Sequence, residues 1–238
     1  MKFECTEVWG FEHAFRGMRN PKNSWDKSDS HFTILDKDCT KKNIFIIGFN
    51  DLKLAKSLIS AGSEHRKFLR QIFVSVDITA PLYWWKEMDQ YRISVTTNSC
   101  STMHKILSQP ITKECFELTD YDSSLSLIDD EKLGTRVSCF IDDLEQLRQS
   151  AIIYDKNSKN ETSFSKEERE EYKKLSKQYW KELIRWLPES WLQKRTITMN
   201  YENIYSILHQ RKGHKLTEWK EFINWAESLP NVKVLFDI

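Results

Sequence analysis

The sequence has no long apolar segment. No run approaches the roughly 18 residues that a membrane-spanning helix requires. The first residues, Met1–Thr6, also lack the apolar centre of a secretory signal. We therefore expect a cytoplasmic protein without a membrane partner.

Neither sign of charge predominates. The chain has 36 basic and 35 acidic residues, a formal net charge of +1. Nucleic-acid-binding domains usually show a basic face or a high isoelectric point, so we expect no nucleic-acid partner. A small phosphate-binding pocket needs only a few local cations and is not excluded.

Cysteine is scarce and irregularly spaced. The five cysteines are odd in number and include no C-x-x-C pair, which excludes a disulfide framework and a zinc-ligand spacing. We predict no metal site and a reducing compartment. The cysteines are Cys5, Cys39, Cys100, Cys115 and Cys139.

Length and composition indicate an ordinary globular protein. The chain has 238 residues, of which 39% are hydrophobic and 30% charged. This length is enough for one sizeable domain. We predict a single domain over residues 1–238, with a variable insertion around residues 110–160.

Local patterns predict alternating strands and helices. Apolar runs at 44–48 and 71–78 indicate strands, and residues 195–199 resemble a third. Helices are predicted from Asn50 or Asp51 to about Ser60, from Pro81, from Ser165 to Pro188, from Asn200 to Gly213 and from Leu216 to Ala226. Residues 141–150 are a further possible helix, and residues 154–163 are predicted to be an exposed connection.

The segment after the Pro81 helix is the most informative one. Arg92 is followed by small polar residues from Ser94 to Thr102, with no apolar stripe. Such a run is typical of a solvated loop that binds its own backbone, or of a site rich in hydrogen-bonding groups. Composition alone does not separate the two interpretations.

This segment resembles the signature of the flavin-dependent thymidylate synthases, RHR-x-x-S-x-N-E-x-S-x-R-Y. Gln90-Tyr91-Arg92 stands where that family has Arg-His-Arg, after a helix that begins Ala80-Pro81. With a one-residue insertion, Asn98 and Ser101 fall on the motif's Asn and second Ser, and Ser99 replaces its Glu. Without the insertion, Cys100 takes the second Ser position.

A second segment near the C-terminus is similar to another motif of the same family, N-x-R…L-x-x-R…A-Q-W-E. Asn200 and Arg211 keep the family's spacing, and Leu216-Thr-Glu-Trp219 follows them. Glu202 stands where the family often has Arg. The family also has a His-containing segment that meets the flavin, and Gly62–Arg70 is similar to it in content, which makes His65 a candidate.

The resemblance implies a fold, an activity and a set of ligands. The fold would be α+β, with a mixed sheet and long flanking helices. The activity would be methyl transfer to C5 of dUMP, with methylenetetrahydrofolate as carbon donor and reduced FAD as hydride source. The assembly would be a homotetramer whose sites lie between subunits.

The resemblance also supplies the candidate site residues. The catalytic candidates are Arg211 and Ser101. The substrate-binding candidates are Glu87, Gln90, Arg92, Asn98, Ser99 and Arg211, and the cofactor-binding candidates are His65, Tyr91 and Asn200.

Two other functions stay open at this point. The loss of the Arg-His pair, now Gln90-Tyr91, also fits a non-catalytic nucleotide-binding protein on the same scaffold, because no neutral amide replaces a bidentate guanidinium. A hydrolase that uses His104 with Ser101 or Cys100 is a third reading, although no third catalytic group or oxyanion hole is visible.

Overall fold

The chain forms two compact units. A computed structural model describes residues 1–37, 40–128 and 130–238. The first unit comprises residues 1–79, 88–98 and 195–238, and the second comprises residues 80–87 and 99–194. The prediction of a single domain with an insertion around 110–160 stays a prediction.

The described residues contain helices and strands in mixed order. The strands are β1 (Lys2–Trp9), β2 (His31–Lys37), β3 (Thr40–Ile46), β4 (Phe73–Pro81), β5 (Thr96–Ser99) and β6 (Leu192–Asn200). The helices are α1 (Phe11–Arg19), α2 (Phe49–Ser60), α3 (Leu82–Met88), α4 (Thr102–Lys105), α5 (Leu133–Ser158), α6 (Lys166–Trp186), α7 (Tyr201–Gln210), α8 (Thr217–Glu227) and α9 (Val232–Phe236). The predicted α+β class is confirmed.

A four-stranded sheet orders the first unit. Its strand order is β1-β4-β6-β5, and β1 pairs antiparallel to β4. Along β4 the predicted alternation is confirmed, since Val74, Val76 and Ile78 are fully buried while Ser75 and Asp77 are not. The hydroxyl of Thr196 in β6 donates a hydrogen bond to the carboxylate of Asp77, and the hydroxyl of Thr198 donates one to the hydroxyl oxygen of Ser75.

A buried ion pair joins two helices of this unit. The Nε of Arg19, at the end of α1, donates to Asp51 in the first turn of α2 at 2.6 Å. Ser28 Oγ and the backbone N–H of Ser30 also donate to the Asp51 carboxylate. Burial by itself would raise the pKa of Asp51, but hydrogen bonds from the side chains of Ser30, Ser28 and Arg19, together with the charge of Arg19, outweigh it and lower that pKa below its usual value.

Two long helices dominate the second unit. Helices α5 and α6 pack against each other, and their inner faces contribute to an apolar cluster that contains Ile141, Leu144 and Leu183. The predicted capping box is confirmed at the start of α6, where Ser165 and Glu168 exchange hydrogen bonds. The cluster lets both helices bury an apolar stripe.

Several predicted boundaries were wrong. Pro81 ends β4 rather than starting a helix, and α3 begins at Leu82. Residues 154–158, predicted as an exposed connection, continue α5. Gly48 is the residue that precedes α2, and neither Asn50 nor Asp51 caps the helix: their backbone N–H groups donate to the carboxylate of Asp29, and the Asp51 carboxylate binds Arg19.

Three structural features of the described residues concern long apolar helices, clusters of metal ligands and the cysteines. Within residues 1–37, 40–128 and 130–238, no helix combines the length and apolar character that crossing a bilayer requires. The same residues contain no cluster of potential metal ligands. Cys5, Cys100, Cys115 and Cys139 are free thiols, and Cys39 lies outside the described residues.

Candidate functional site

The predicted site residues that come together lie beside helix α7, in the first unit. A cavity of about 650 Å³ is lined there by α7 and by the segment that follows α3. We call it the arginine pocket and define it by Arg70, Tyr91, Arg92, Asn200, Glu202 and Arg211. Its size lies within the range of about 300–1,000 Å³ that small-molecule sites usually have.

Helix α7 makes the pocket elongated. Asn200 precedes the helix and Arg211 follows it, so the two residues mark its opposite ends. At 1.5 Å per residue, the helix separates them by roughly 16 Å along its axis. The amide of Asn203 donates to the carbonyl of Ile93 at 3.0 Å and ties the opposite wall to the helix.

Arg211 is held in position from several sides. Its Nε donates to the phenolic oxygen of Tyr91 at 2.9 Å, and its Nη1 lies 3.2 Å from Nε2 of His214. The guanidinium carbon lies 4.4 Å from the centre of the Trp219 ring and 5.5 Å from that of Tyr91. Because stacking and hydrogen bonding restrain the same group, the charge of Arg211 is preorganised.

The contact with Arg211 gives Tyr91 a defined polarity. The phenolic oxygen accepts a hydrogen bond from a cation, so its own proton must point elsewhere. None of the described residues accepts that proton. Tyr91 therefore offers an O–H donor at the Arg211 end of the pocket.

Asn200 offers a second donor at the opposite end. Its side-chain oxygen caps α7 by accepting a hydrogen bond from the backbone N–H of Asn203. The side-chain oxygen of Asn203 in turn accepts from the backbone N–H of Asn200. Asn200 is only 2% exposed, and its Nδ2 group meets no acceptor in the described part of the chain. This N–H group is accessible from the pocket, where it can donate to a ligand oxygen.

Glu202 moderates the positive charge near Asn200. Its carboxylate accepts from Nε of Arg66 at 3.0 Å and lies 3.5 Å from Nε of Arg70. The lining of the pocket contains three arginines, Arg70, Arg92 and Arg211, and one glutamate, a net charge of +2. Arg70 is paired with Glu202, and the other two arginines of the lining are Arg92 and Arg211.

The structure brings five of the predicted residues together and leaves the others elsewhere. Gln90, Tyr91, Arg92, Asn200 and Arg211 line the pocket. In the same unit, Asn98 lies exposed in β5, and His65 is exposed before a 3₁₀ turn. Neither of them is part of the described lining of this pocket.

The remaining candidates belong to the second unit. Glu87 lies in α3, Ser99 ends β5, and Ser101 precedes α4. The hydroxyl of Ser101 accepts from the backbone N–H of His104, a helix-capping contact. This contact explains the spacing of Ser101 and His104 without a hydrolytic site.

Sequence reasoning missed Arg70, Glu202 as its partner, and Trp219 as the ring beneath Arg211. Arg66 and Arg70 are four residues apart, but nothing in the local sequence shows that Glu202 lies opposite them. Trp219 falls within the second motif, yet its contact with Arg211 depends on the turn between α7 and α8.

Two crystal structures have the same fold as this chain. One is the flavin-dependent thymidylate synthase ThyX from Helicobacter pylori in complex with FAD and dUMP, with a TM-score of 0.58, 16% sequence identity, and coverage of 99% of this chain and 97% of that chain. Another is ThyX from Helicobacter pylori with FAD and dUMP, with a TM-score of 0.59, 17% identity, and coverage of 100% and 98%. The fold is that of the flavin-dependent thymidylate synthases.

The comparison by sequence is negative. No protein-family model matches the chain, and no curated protein matches it. At 16–17% identity the structural similarity shows a thymidylate synthase-like scaffold over the whole chain, and it confirms the predicted fold. Activity must be argued from the residues themselves.

Proposed function

We propose that the protein binds a pyrimidine deoxynucleotide in the arginine pocket and acts as a thymidylate synthase-like enzyme. The reaction would be methyl transfer to C5 of dUMP, with methylenetetrahydrofolate as the carbon donor and reduced FAD as the hydride source. The proposal combines the fold, which ThyX uses in complex with FAD and dUMP, with the chemistry of the pocket.

The observation that carries the proposal is a pair of donors without acceptors at the two ends of one cationic pocket. The Tyr91 hydroxyl and the Asn200 amide both lack an acceptor among the described residues, and both line the pocket. A nucleotide presents oxygens at its phosphate and at its base carbonyls, which are the groups that such donors bind.

The distribution of charge suggests an orientation for the nucleotide. Arg92 and Arg211 are proposed to bind the phosphate, because both guanidinium groups line the pocket and guanidinium groups bind phosphate oxygens in a bidentate manner. Asn200 is proposed to donate to a base carbonyl at the other end. The Nε of Arg92 donates to the carbonyl of Asp89 at 3.0 Å, which leaves its terminal nitrogens for a phosphate.

The lining also fits the polar edges of a flavin. Gln90 and Gln210 carry both amide donors and acceptors, and the ring of Tyr91 provides a flat apolar surface. When bound, reduced FAD would supply the hydride. The chain's own part would be to hold and orient the ligands and to keep the phosphate charge compensated.

For the predicted residues outside the pocket, a role is proposed only on the basis of the family resemblance. Glu87, Asn98 and Ser99 are proposed to bind the substrate, Ser101 to take part in catalysis, and His65 to bind the cofactor. A homotetramer of cytoplasmic location is proposed on the same basis. Light scattering tests the assembly, because a tetramer would have about four times the 28.4 kDa mass of the chain.

A second function is favoured by a specific observation. Gln90 and Tyr91 replace a basic pair, and Glu202 pairs with Arg66 and Arg70, so the pocket has fewer uncompensated cations than the motif predicts. Binding FAD together with a nucleotide brings a second phosphate-bearing anion to the site and needs more cations than binding the nucleotide alone. The alternative is a nucleotide-binding protein that does not use flavin.

The experiment that separates the two is a thermal-shift titration with dUMP, dCMP and dTMP, each with and without FAD. A ligand at a hundred times its dissociation constant stabilises the folded state by about 2.7 kcal/mol. Stabilisation by both dUMP and FAD supports the enzyme and calls for an assay of dTMP formation. A response to nucleotide but not to FAD supports the alternative, and no response to any nucleotide contradicts both.

A further inference from the structure

A second cavity lies in the first unit, away from the arginine pocket. Its volume is about 850 Å³, and it is lined by β1, by the start of α1, by the β2 and β3 strands and by the end of α8. We call it the aromatic cleft and define it by Glu7, Trp9, Phe11, Phe32, Phe45 and Trp225.

The cleft has a buried aromatic floor and exposed aromatic walls. Phe11 and Phe45 are buried and stack with their ring centres 5.4 Å apart. Trp9 is 46% exposed and Phe32 is 50% exposed. One face of Trp9 stacks on Phe73 with the ring centres 5.8 Å apart, so its exposure belongs to the other face.

The wall rings are held in place. Phe32 meets Phe45 edge to face at 5.1 Å, and the indole N–H of Trp225 donates to the hydroxyl of Thr6 at 3.2 Å. Large rings restrained by their neighbours lose little conformational entropy when a ligand stacks on them. Their exposure leaves apolar surface that a ligand can cover.

One carboxylate gives the cleft its charge. Among the described residues that line the cleft, Glu7 alone is charged. Its carboxylate makes no hydrogen bond or ion pair with any residue in the described ranges. The faces of aromatic rings also carry a negative electrostatic potential, so the rings and the carboxylate both attract a cation.

We propose that the aromatic cleft is a binding site for a flat nitrogen-containing ring that carries a positive charge or amine N–H donors. The ring would stack against Trp9 and Phe32, and its N–H groups would donate to Glu7. This complementarity of shape and charge selects against anions, including the phosphate-bearing ligands that the arginine pocket suits. The proposal does not depend on the function of that pocket.

Three small probes of nearly equal shape test the proposal. Benzamidine is a planar cation, benzamide is its neutral counterpart, and benzoate is the anion. In ligand-observed NMR titrations of the full chain, benzamidine should bind about tenfold more tightly than benzamide, and benzoate should bind most weakly. Saturating dUMP should not compete with benzamidine.

Variants locate the site. Glu7→Gln keeps the shape of the side chain and should lower benzamidine affinity about tenfold, to the level of benzamide. Trp9→Leu should weaken all three probes, because it removes the stacking surface. The matched control is Glu64→Gln, which changes an exposed glutamate of the same unit outside the cleft and should leave binding unchanged.

Several results would overturn the proposal. They are equal affinity for the three probes, no binding of benzamidine up to about 10 mM, or equal effects of Glu7→Gln and Glu64→Gln. If the Trp9→Leu variant binds no probe and also has a lower particle mass than the unaltered chain, the result would show instead that a second copy of the chain covers the cleft. Unfolding curves that match those of the unaltered chain establish that each variant is folded.

Discussion

The arginine pocket and the aromatic cleft belong to the same compact unit but have opposite chemistry. The pocket is lined by three arginines and one glutamate, whereas the cleft is lined by aromatic rings and one carboxylate. The net charge of the whole chain is +1, which predicts neither environment. Ligand preference is therefore a property of a few converging side chains rather than of overall composition.

The difference arises from the elements that meet at each place. The arginine pocket extends between the two ends of α7, where Asn200 caps the start of the helix and Arg211 follows its last residue. The cleft lies along β1, an edge strand of the four-stranded sheet, where residues of β3 and of the end of α8 also contribute to the lining. Helix ends carry unpaired backbone groups and capping side chains, whereas the cleft is lined mainly by aromatic and aliphatic side chains.

The largest effect is expected from Asp51→Asn, which tests whether both sites depend on one folded unit. The change removes the negative partner of buried Arg19 and should lower the free energy of unfolding by about 3 kcal/mol. Urea titrations should show binding of dUMP and benzamidine lost together, at a lower urea concentration. Asp26→Asn, at an exposed residue, is the control. Two separate midpoints would show that the sites unfold independently.

Acid should remove the advantage of Asp51 in a defined pH range. Its pKa is lowered in the folded state, so its contribution is complete above its ordinary pKa of about 3.8 and is lost as the pH falls through the lower folded value. The difference in unfolding free energy between the unaltered chain and Asp51→Asn should be constant above about pH 5 and shrink below pH 4. A difference that grows on acidification would contradict this assignment.

Arg211→Ala should be the most damaging change in the arginine pocket itself. Loss of the charge and of the bond to Tyr91 should weaken dUMP binding by about 2–3 kcal/mol. Arg211→Lys keeps the charge but not the planar group and should have an intermediate effect. Calorimetry measures both, with Arg16→Ala as an exposed control. Unchanged affinity in Arg211→Ala would remove this residue from the site.

Tyr91→Phe tests the hydroxyl proton that has no acceptor in the described residues. The ring near Arg211 is kept, but the hydroxyl is lost both as a donor to the ligand and as the acceptor for Arg211 Nε, so dUMP affinity should fall about fivefold, or about 1 kcal/mol. Tyr172→Phe, in α6, is the matched control. Equal affinities of Tyr91→Phe and the unaltered chain would mean that the ligand does not reach this hydroxyl.

The smallest effects are expected when each site is tested with the other site's ligand. Arg211→Ala should leave benzamidine affinity unchanged, and Glu7→Gln should leave dUMP affinity unchanged, within about 0.5 kcal/mol. The double variant should lose both affinities additively, as for sites with no shared contacts. A larger cross effect measured by calorimetry would show that the two sites are coupled.

Patterns of short range were the ones that could be predicted. The alternation of β4, the capping box at Ser165 and the apolar stripe of α8 follow from the spacing of side chains along one element. Gln90, Tyr91, Arg92, Asn200 and Arg211 were selected by motif resemblance, and the fold places them in one pocket. Their roles in binding remain predictions.

Boundaries set by distant contacts could not be predicted. Asp51 is a residue type that often caps helices, but its carboxylate binds Arg19, and the first backbone N–H groups of α2 donate to Asp29 instead. Arg70 and Arg66 look like surface residues in the sequence, and only the position of α7 shows that they share Glu202.

By itself the sequence determined which segments form helices or strands and which residues have side chains capable of binding or catalysis, because periodicity and capping act within a few residues of the chain. Only the tertiary structure decided which polar groups keep a partner and which face a cavity. The proton of Tyr91 and the amide of Asn200 meet no acceptor in the described residues, while Asp51 meets several donors. Hydrogen bonds and ion pairs depend on distance and direction in space, and separation along the chain does not fix either.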